Sequence, residues 1–204
     1  MPDQLNNQEE ENDFILNAEY WNDRYNGGQT GWDMHQASPP LTQYIDAIFD
    51  KELRILIPGC GNAHEADYLL NKGFTNVTLI DISEVVTKKI AEKYKDKPIK
   101  IVCADFFKHT GSYDLILEQT FFCTLSPSMR KKYMEKCFEL LVPGGKIAGV
   151  LFNKPLGVPG PPFISGDEEY KRIFGSKFSI LRYEDCKNSI APRLGSEVFF
   201  EVEK

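Results

Sequence analysis

The chain has no apolar run near the roughly 20 residues that a bilayer-spanning helix needs, and no block of basic residues. Lys and Arg number 24 against 30 Asp and Glu, for a net charge of −6. Nucleic-acid affinity rests on Lys and Arg neutralising phosphates, so neither nucleic acid nor membrane is expected as a partner. Cysteine is sparse: Cys60, Cys103, Cys123, Cys137 and Cys186 are odd in number and show no CxxC spacing. That scatter argues against a disulfide framework or a zinc site, and suits packing thiols in the reducing cytoplasm. The opening MPDQLNNQEEEND is acidic and polar, so it reads as neither secretory signal nor transit peptide. What is present is enough apolar material for a core, 42% of 204 residues. The expected organisation is a solvated tail over 1–12 and one domain over 13–204, monomeric, with no internal repeat.

Within that domain an N-terminal segment (13–50) precedes a core (53–204). FILNAEYWNDRY, from Phe14 to Tyr25, is amphipathic and predicts a helix ending at Gly27-Gly28. Gly31-Trp32-Asp33 follows in a loop, and Ser38 before Pro39-Pro40 caps a helix LTQYIDAIF. The core then alternates. Apolar runs RILIPG (54–59), NVTLIDIS (76–83), KIVCAD (100–105), SYDLILEQ (112–119) and KIAGVLF (146–152) predict strands. EADYLLNKG (65–73), EVVTKKIAEKY (84–94) and SPSMRKKYMEKCFELL (126–141) predict the helices between them, the last closed by Pro143-Gly144-Gly145. Such alternation predicts an α/β fold, a mostly parallel seven-stranded Rossmann-like sheet with helices on both faces. NKPLGVPGPPFISGD, with four Pro and three Gly, reads as a loop over the sheet. A short helix EEYKRIFG follows, and KFSILRYED and EVFFEVE close the chain as an antiparallel pair at one edge.

Ligands of such sheets bind beyond the strands' carboxyl ends, at the point where strand order reverses. Ile57-Pro58-Gly59-Cys60-Gly61-Asn62-Ala63-His64-Glu65 forms the first strand-to-helix junction, and Asp81 ends the next strand 22 residues after Gly59. Two glycines permit a sharp turn close to a ligand, and a strand-end acid can take both hydroxyls of a ribose. A dinucleotide fingerprint needs a third glycine where His64 stands, and Glu65 in the first helical turn would repel phosphate. The pair suits a cofactor with an ammonium group and no phosphate, which describes S-adenosylmethionine. Asp105 and Phe106 after the third strand can meet its adenine. His64 is read as packing at the helix start, His35 as a loop histidine bonded to backbone.

IPGCGNAHE, LIDISE, FFCTLSPSMR, FELLVPGGKI, the GPPF loop and the GWDMHQASPPL entry together resemble the thiopurine S-methyltransferase family. They are most similar to its thiol and halide (thiocyanate) methyltransferase branch, and the resemblance runs from about Trp21 to Glu203. It implies a class I S-adenosylmethionine-dependent methyltransferase with an aromatic lid, Trp21, Tyr25 and Trp32, closing over the cofactor. It also implies Gly59, Asp81, Asp105, Phe106 and Gln119 around that cofactor, beside the Gly61 already read from the turn. Tyr25 stands where the branch has Trp; Gln119 and Phe152 stand where relatives have Tyr. The implied acceptor is a small molecule with a soft nucleophile: a thiol, thiocyanate, a halide or a thiopurine-like sulfur.

Methyl transfer from a sulfonium is an in-line displacement that needs alignment and a dry nucleophile more than proton traffic. A thiol with a pKa of about 8.5 is partly ionised near neutrality, and a neighbouring sulfonium lowers it further. No catalytic base and no metal are therefore assigned. Trp32, Phe121, Phe122, Phe152 and Phe163 are expected around the acceptor, with one of Phe121 and Phe122 plain core. Arg193, in APRLG before the last strand, is expected either to attract an anionic acceptor or to lie exposed on the surface. Cys123 reads as packing, because this chemistry needs no covalent intermediate.

Overall fold

The computed structural model describes residues 16–154 and 161–204; the tail, the helix start at Phe14 and the middle of the Pro/Gly-rich loop lie outside them. Helix α1 (Ala18–Asn26) is capped by Asn17, whose side chain accepts the Tyr20 N–H, and α2 (Pro39–Asp46) opens on two prolines. Then come β1 (Ile55–Pro58), α3 (His64–Asn71), β2 (Val77–Asp81), α4 (Glu84–Lys93), β3 (Ile99–Cys103) and β4 (Tyr113–Gln119). Helix α5 (Arg130–Leu140), β5 (Leu141–Phe152), α6 (Asp167–Gly175), β6 (Ser179–Asp185) and β7 (Glu197–Glu203) complete the order. Among the described residues no helix is long and apolar enough to cross a membrane.

The seven strands lie in the order β3-β2-β1-β4-β5-β7-β6, with β1 to β5 parallel and β7 antiparallel to both neighbours. In the central strands successive residues serve opposite cores, as the period of two requires. Ile55 and Ile57 pack with Leu41, Ala66, Leu69 and Val86 under α2, α3 and α4. Leu56 packs on the other face with Tyr133, Met134, Tyr170 and Phe174 under α5 and α6. Strand order reverses between β1 and β4, so the loops after these two strands face one crevice at the carboxyl ends.

Two expectations are corrected. Strand β5 begins at Leu141, so Pro143-Gly144-Gly145 lies within it rather than closing a helix. The main chain there is held by the chain's end, Gly144 N–H to Lys204 O at 3.0 Å and Lys204 N–H to Gly145 O at 2.9 Å. Strands β6 and β7 form the expected antiparallel pair at one edge, with β7 between β5 and β6 and its Glu197 and Glu201 both buried. Glu201 takes bonds from Lys146 Nζ at 3.0 Å and Tyr44 Oη at 3.1 Å, which satisfies a polar face that alternation alone assigns to water. Helix α2 also stops at Asp46, three residues early, leaving Phe49 exposed.

Gly149, in the middle of β5, is crowded from both sides by β4 and β7. A Cβ there would stand 2.5 Å from Glu118 Cβ and 2.6 Å from Phe200 Cε1. Gly149→Ala is expected to lower stability by about 1–3 kcal/mol, the usual cost of overpacking. Urea denaturation measures it, and an unmoved midpoint would mean that the two strands have slack.

Candidate active site

The loop after β1 turns through Gly59 and Gly61, both in the left-handed region at φ +54° and +50°. Each glycine also has a neighbour that a side chain would strike. A Cβ on Gly59 would lie 2.4 Å from Phe121 Cδ2, and one on Gly61 would lie 3.0 Å from the Tyr25 hydroxyl. Asp81 ends β2 beside this loop. Its Oδ2 accepts the Gly61 N–H at 3.0 Å and its Oδ1 the Ser83 N–H at 2.9 Å. Burial pushes the Asp81 carboxyl up, against those backbone bonds. Asp105, after β3, accepts the Phe107 N–H at 2.9 Å, and Phe106 beside it meets Phe121 edge-on at 5.4 Å between ring centroids.

The N-terminal segment covers this loop. Asn22 on α1 accepts from Ser83 Oγ at 2.7 Å and the Val85 N–H at 3.3 Å, which docks α1 on the start of α4. Trp32 stands edge-on to Trp21 and Tyr25, with centroids 5.5 and 5.9 Å apart. Tyr25 lies close enough to Asp81 that burial and that carboxylate raise its phenol far above the ordinary value. Asp33, next in the chain, accepts from Asn62 Nδ2 at 2.5 Å and from the His35 N–H at 2.7 Å, and His64 Nε2 lies 2.7 Å from its Oδ1. Burial raises the Asp33 carboxyl, yet these bonds more than offset it and leave it below its usual value.

Across the crevice, after β4, Thr120 takes a positive φ of +59° and donates its hydroxyl to Gln119 Oε1 at 2.9 Å. The Gln119 Nε2 is buried with no partner. Glu118 fixes the turn: fully buried, it accepts the Phe121 and Phe122 N–H groups at 2.7 and 2.9 Å and the Tyr133 hydroxyl at 3.0 Å. Burial pushes its carboxyl up to about 7. Phe163 is held by main chain, its N–H on Cys123 O at 2.6 Å and its carbonyl on Arg130 Nη2 at 2.9 Å. Arg130 is itself buried beneath Phe122 and Tyr170 and reaches Ser165 and Glu169.

Arg193 overturns the exposed reading of it. It is buried, pairs with Glu197 at 3.2 Å, lies over the Phe152 ring at 5.1 Å, and donates Nη2 to the Trp32 carbonyl at 2.6 Å. It is neither an exposed arginine nor an uncompensated anion receptor. Phe122 is corrected too. It has no exposure and packs on Tyr133, Tyr170 and Phe174, so it is the core member of its pair and leaves the acceptor set. Glu65 does not face the crevice: it is buried and accepts the Ser38 N–H at 3.0 Å. The carboxylate at that end of α3 is Asp33, from the N-terminal segment. Cys123 is buried with its thiol on Thr120 O, in keeping with packing.

Gly59, Gly61, Asp81, Asp105, Phe106, Phe121 and Gln119 are thus gathered around the reversal point, with Trp21, Tyr25 and Trp32 over them and Phe152 and Phe163 beyond. S-adenosylmethionine fits what is present. Each Asp81 oxygen keeps a lone pair beyond its N–H bond, the Gln119 amide is an unmatched buried donor, and the loop admits close backbone approach. Asp33, Asn62 and Arg130 were not singled out from sequence, because their partners across the site lie about 30 residues along the chain; Glu118 was not, because nothing local announces that it is buried.

The family-wide sequence pattern described as thiopurine S-methyltransferase matches residues 16–201. Thiocyanate methyltransferase 1 of Brassica oleracea is 30% identical over 184 residues, covering 87% of this chain and 81% of that protein. A probable thiol methyltransferase 2 of Arabidopsis thaliana is 26% identical over the same shares. Among solved structures, the 1,6-didemethyltoxoflavin-N1-methyltransferase of Burkholderia thailandensis, holding its substrate and S-adenosylhomocysteine, is similar in fold. Its TM-score is 0.75 at 17% identity, over 92% of this chain and 86% of that one.

Proposed function

The chain belongs to the thiopurine S-methyltransferase family and is an S-adenosylmethionine-dependent methyltransferase, and we propose that its acceptor is a small thiol taken as the thiolate. When bound, S-adenosylmethionine supplies an electrophilic methyl group on a sulfonium. Asp81 would take the ribose hydroxyls, Asp105 and Phe106 the adenine, Gln119 a polar atom of the ligand, and the Gly59–Gly61 backbone its amino-acid end. Trp21, Tyr25 and Trp32 shut out water and set aromatic faces toward the cation, an attraction of order 0.5–2 kcal/mol. Phe121, Phe152 and Phe163 wall the acceptor side and strip water from a soft nucleophile.

The observation that carries the choice of thiol is the state of Arg193. Its charge is met by Glu197 and its other amino group by a carbonyl, so the aromatic wall it backs offers no free guanidinium to an obligate anion. A thiol can enter neutral, its acidity raised by the neighbouring sulfonium, and pass its proton to solvent water before the aromatic segment closes. The Brassica relative's thiocyanate activity gives the second arm of the test. Labelled S-adenosylmethionine would be incubated with small thiols, hydrosulfide, thiocyanate, iodide, selenols and thiopurines. Turnover of small thiols above thiocyanate and iodide is the expected outcome; a preference for either anion, or no methylated product, defeats the proposal. The reading includes a monomer working in the cytoplasm, with its cysteines free.

The same geometry sets an expectation for nicotinamide cofactors. The Asp33 carboxylate lies against Asn62 and His64 at the start of α3, where a pyrophosphate would otherwise settle. NAD and NADP are expected to show no binding at millimolar concentration by calorimetry. A measurable isotherm for either would reverse the cofactor assignment.

A further inference from the structure

We propose that Asp33 is a positioning residue for methyl transfer, a latch that holds Trp32 over the site only when the glycine loop is in its folded turn. The inference rests on the methyltransferase reading but concerns a residue that touches neither cofactor nor acceptor. Asp33 is the nexus between the N-terminal segment and the loop that cradles the cofactor. Its side chain is 6% exposed, although it lies in a loop whose next-but-one residue, His35, is 85% exposed. One oxygen receives Asn62 Nδ2; the other receives the His35 N–H and lies 2.7 Å from His64 Nε2. Asn62 and His64 flank Ala63, which is left-handed at φ 57°, ψ 43°. That turn aims both side chains at one carboxylate, so a loop in another conformation could not offer both donors. Asn62 is oriented in its turn by Lys89 Nζ on its carbonyl oxygen at 2.8 Å.

The residue before the latch is the one that needs holding. Trp32 joins the Trp21 and Tyr25 rings, and its carbonyl is taken by Arg193 from the acceptor side. The Trp32–Asp33 dipeptide is therefore held from the cofactor side by Asn62 and His64, through its own carboxylate, and from the acceptor side by the Arg193 guanidinium. Helix α1 buries no residue completely, so apolar packing alone does not fix this segment. A buried carboxylate with directional partners gives position rather than bulk stability. Released, Trp32 would leave the nucleophile wet and the displacement unaligned.

Both tryptophans of the chain, Trp21 and Trp32, lie in this segment, so tryptophan emission reports the segment and nothing else. The experiment compares Asp33→Asn, His64→Leu and His64→Gln in the full chain. Acrylamide quenching is measured with and without S-adenosylhomocysteine, beside kcat, KM and the melting temperature. Asp33→Asn and His64→Leu should leave both tryptophans open to quencher with S-adenosylhomocysteine bound. They should lower kcat ten- to a hundredfold while S-adenosylhomocysteine affinity changes less than fivefold. His64→Gln keeps a neutral donor and should restore at least half the activity. Asp33→Asn with His64→Leu should cost less than the two changes summed, because they share the Asp33–His64 contact. Wild-type shielding in Asp33→Asn with kcat within twofold overturns the latch, as does additivity of the two changes. If Asp33→Asn does not fold, His64→Leu against His64→Gln decides the matter. If the wild type methylates no thiol, the acceptor proposal fails, yet the quenching comparison still judges the latch.

Discussion

A chain lacking residues 1–35 is expected to fold and to lose methyl transfer by orders of magnitude. Among the described residues no strand is removed, and α1 contributes no fully buried residue to either core. What the deletion costs the fold is the packing of Tyr25 on one core and a few polar contacts: Asn22 on Ser83 and Val85, Asp33 on Asn62 and His64, and the Trp32 carbonyl on Arg193. Arg193 keeps Glu197, so no buried charge is stranded. The site, by contrast, loses three aromatic rings that cover the glycine loop. Alignment and exclusion of water carry the rate of a displacement that needs no base, so their loss falls on kcat. A segment held by so few buried contacts also opens locally at low free-energy cost, which is what a closing element requires. Protease cleavage between Leu16 and Gln36 should be fast in the free protein and slow with S-adenosylhomocysteine. Equal protection in both states, or a truncated chain with full activity, would make these aromatics ordinary covering for the sheet.

How far the sequence could be read depended on the range of the interaction. Strands β1 to β4 and the helices between them were legible because apolar runs, caps and terminating glycines act within a few residues. Gly59, Gly61 and Asp81 were legible for the same reason: a turn and a strand end announce themselves locally. The start of β5 was not, because Pro143-Gly144-Gly145 becomes strand by pairing with Lys204, and Glu197 and Glu201 could not be seen as buried without Arg193, Lys146 and Tyr44. Phe121 and Phe122 are indistinguishable in sequence; Glu118 beneath them decides which enters the core and which reaches Gly59. Arg193 and Asp33 depend on partners 161 and about 30 residues away, beyond any local pattern.

Asp81→Ala is expected to weaken S-adenosylmethionine binding by one to two decades. The carboxylate is buried at the end of β2, and its two oxygens each hold one backbone N–H, at 3.0 Å from Gly61 and 2.9 Å from Ser83. A ribose diol would add a charge-assisted bond at each remaining lone pair, and such bonds contribute about 1.5–3 kcal/mol each where water is excluded. Some of that gain is offset because Asp81 is already desolvated, its carboxyl raised by burial before any ligand arrives. A decade of affinity is about 1.4 kcal/mol, so the surviving difference sets the expected range. The substitution also frees the Gly61 N–H and could loosen the glycine loop, which would weaken binding with no ribose contact at all. Calorimetry with S-adenosylhomocysteine and its 2′-deoxy analogue separates the two causes. The wild type should prefer the hydroxylated ligand, and Asp81→Ala should bind both alike, since the group that told them apart is gone. If the variant keeps the preference while losing affinity, Asp81 acts only through the loop; if it loses no affinity, Asp81 is outside the site.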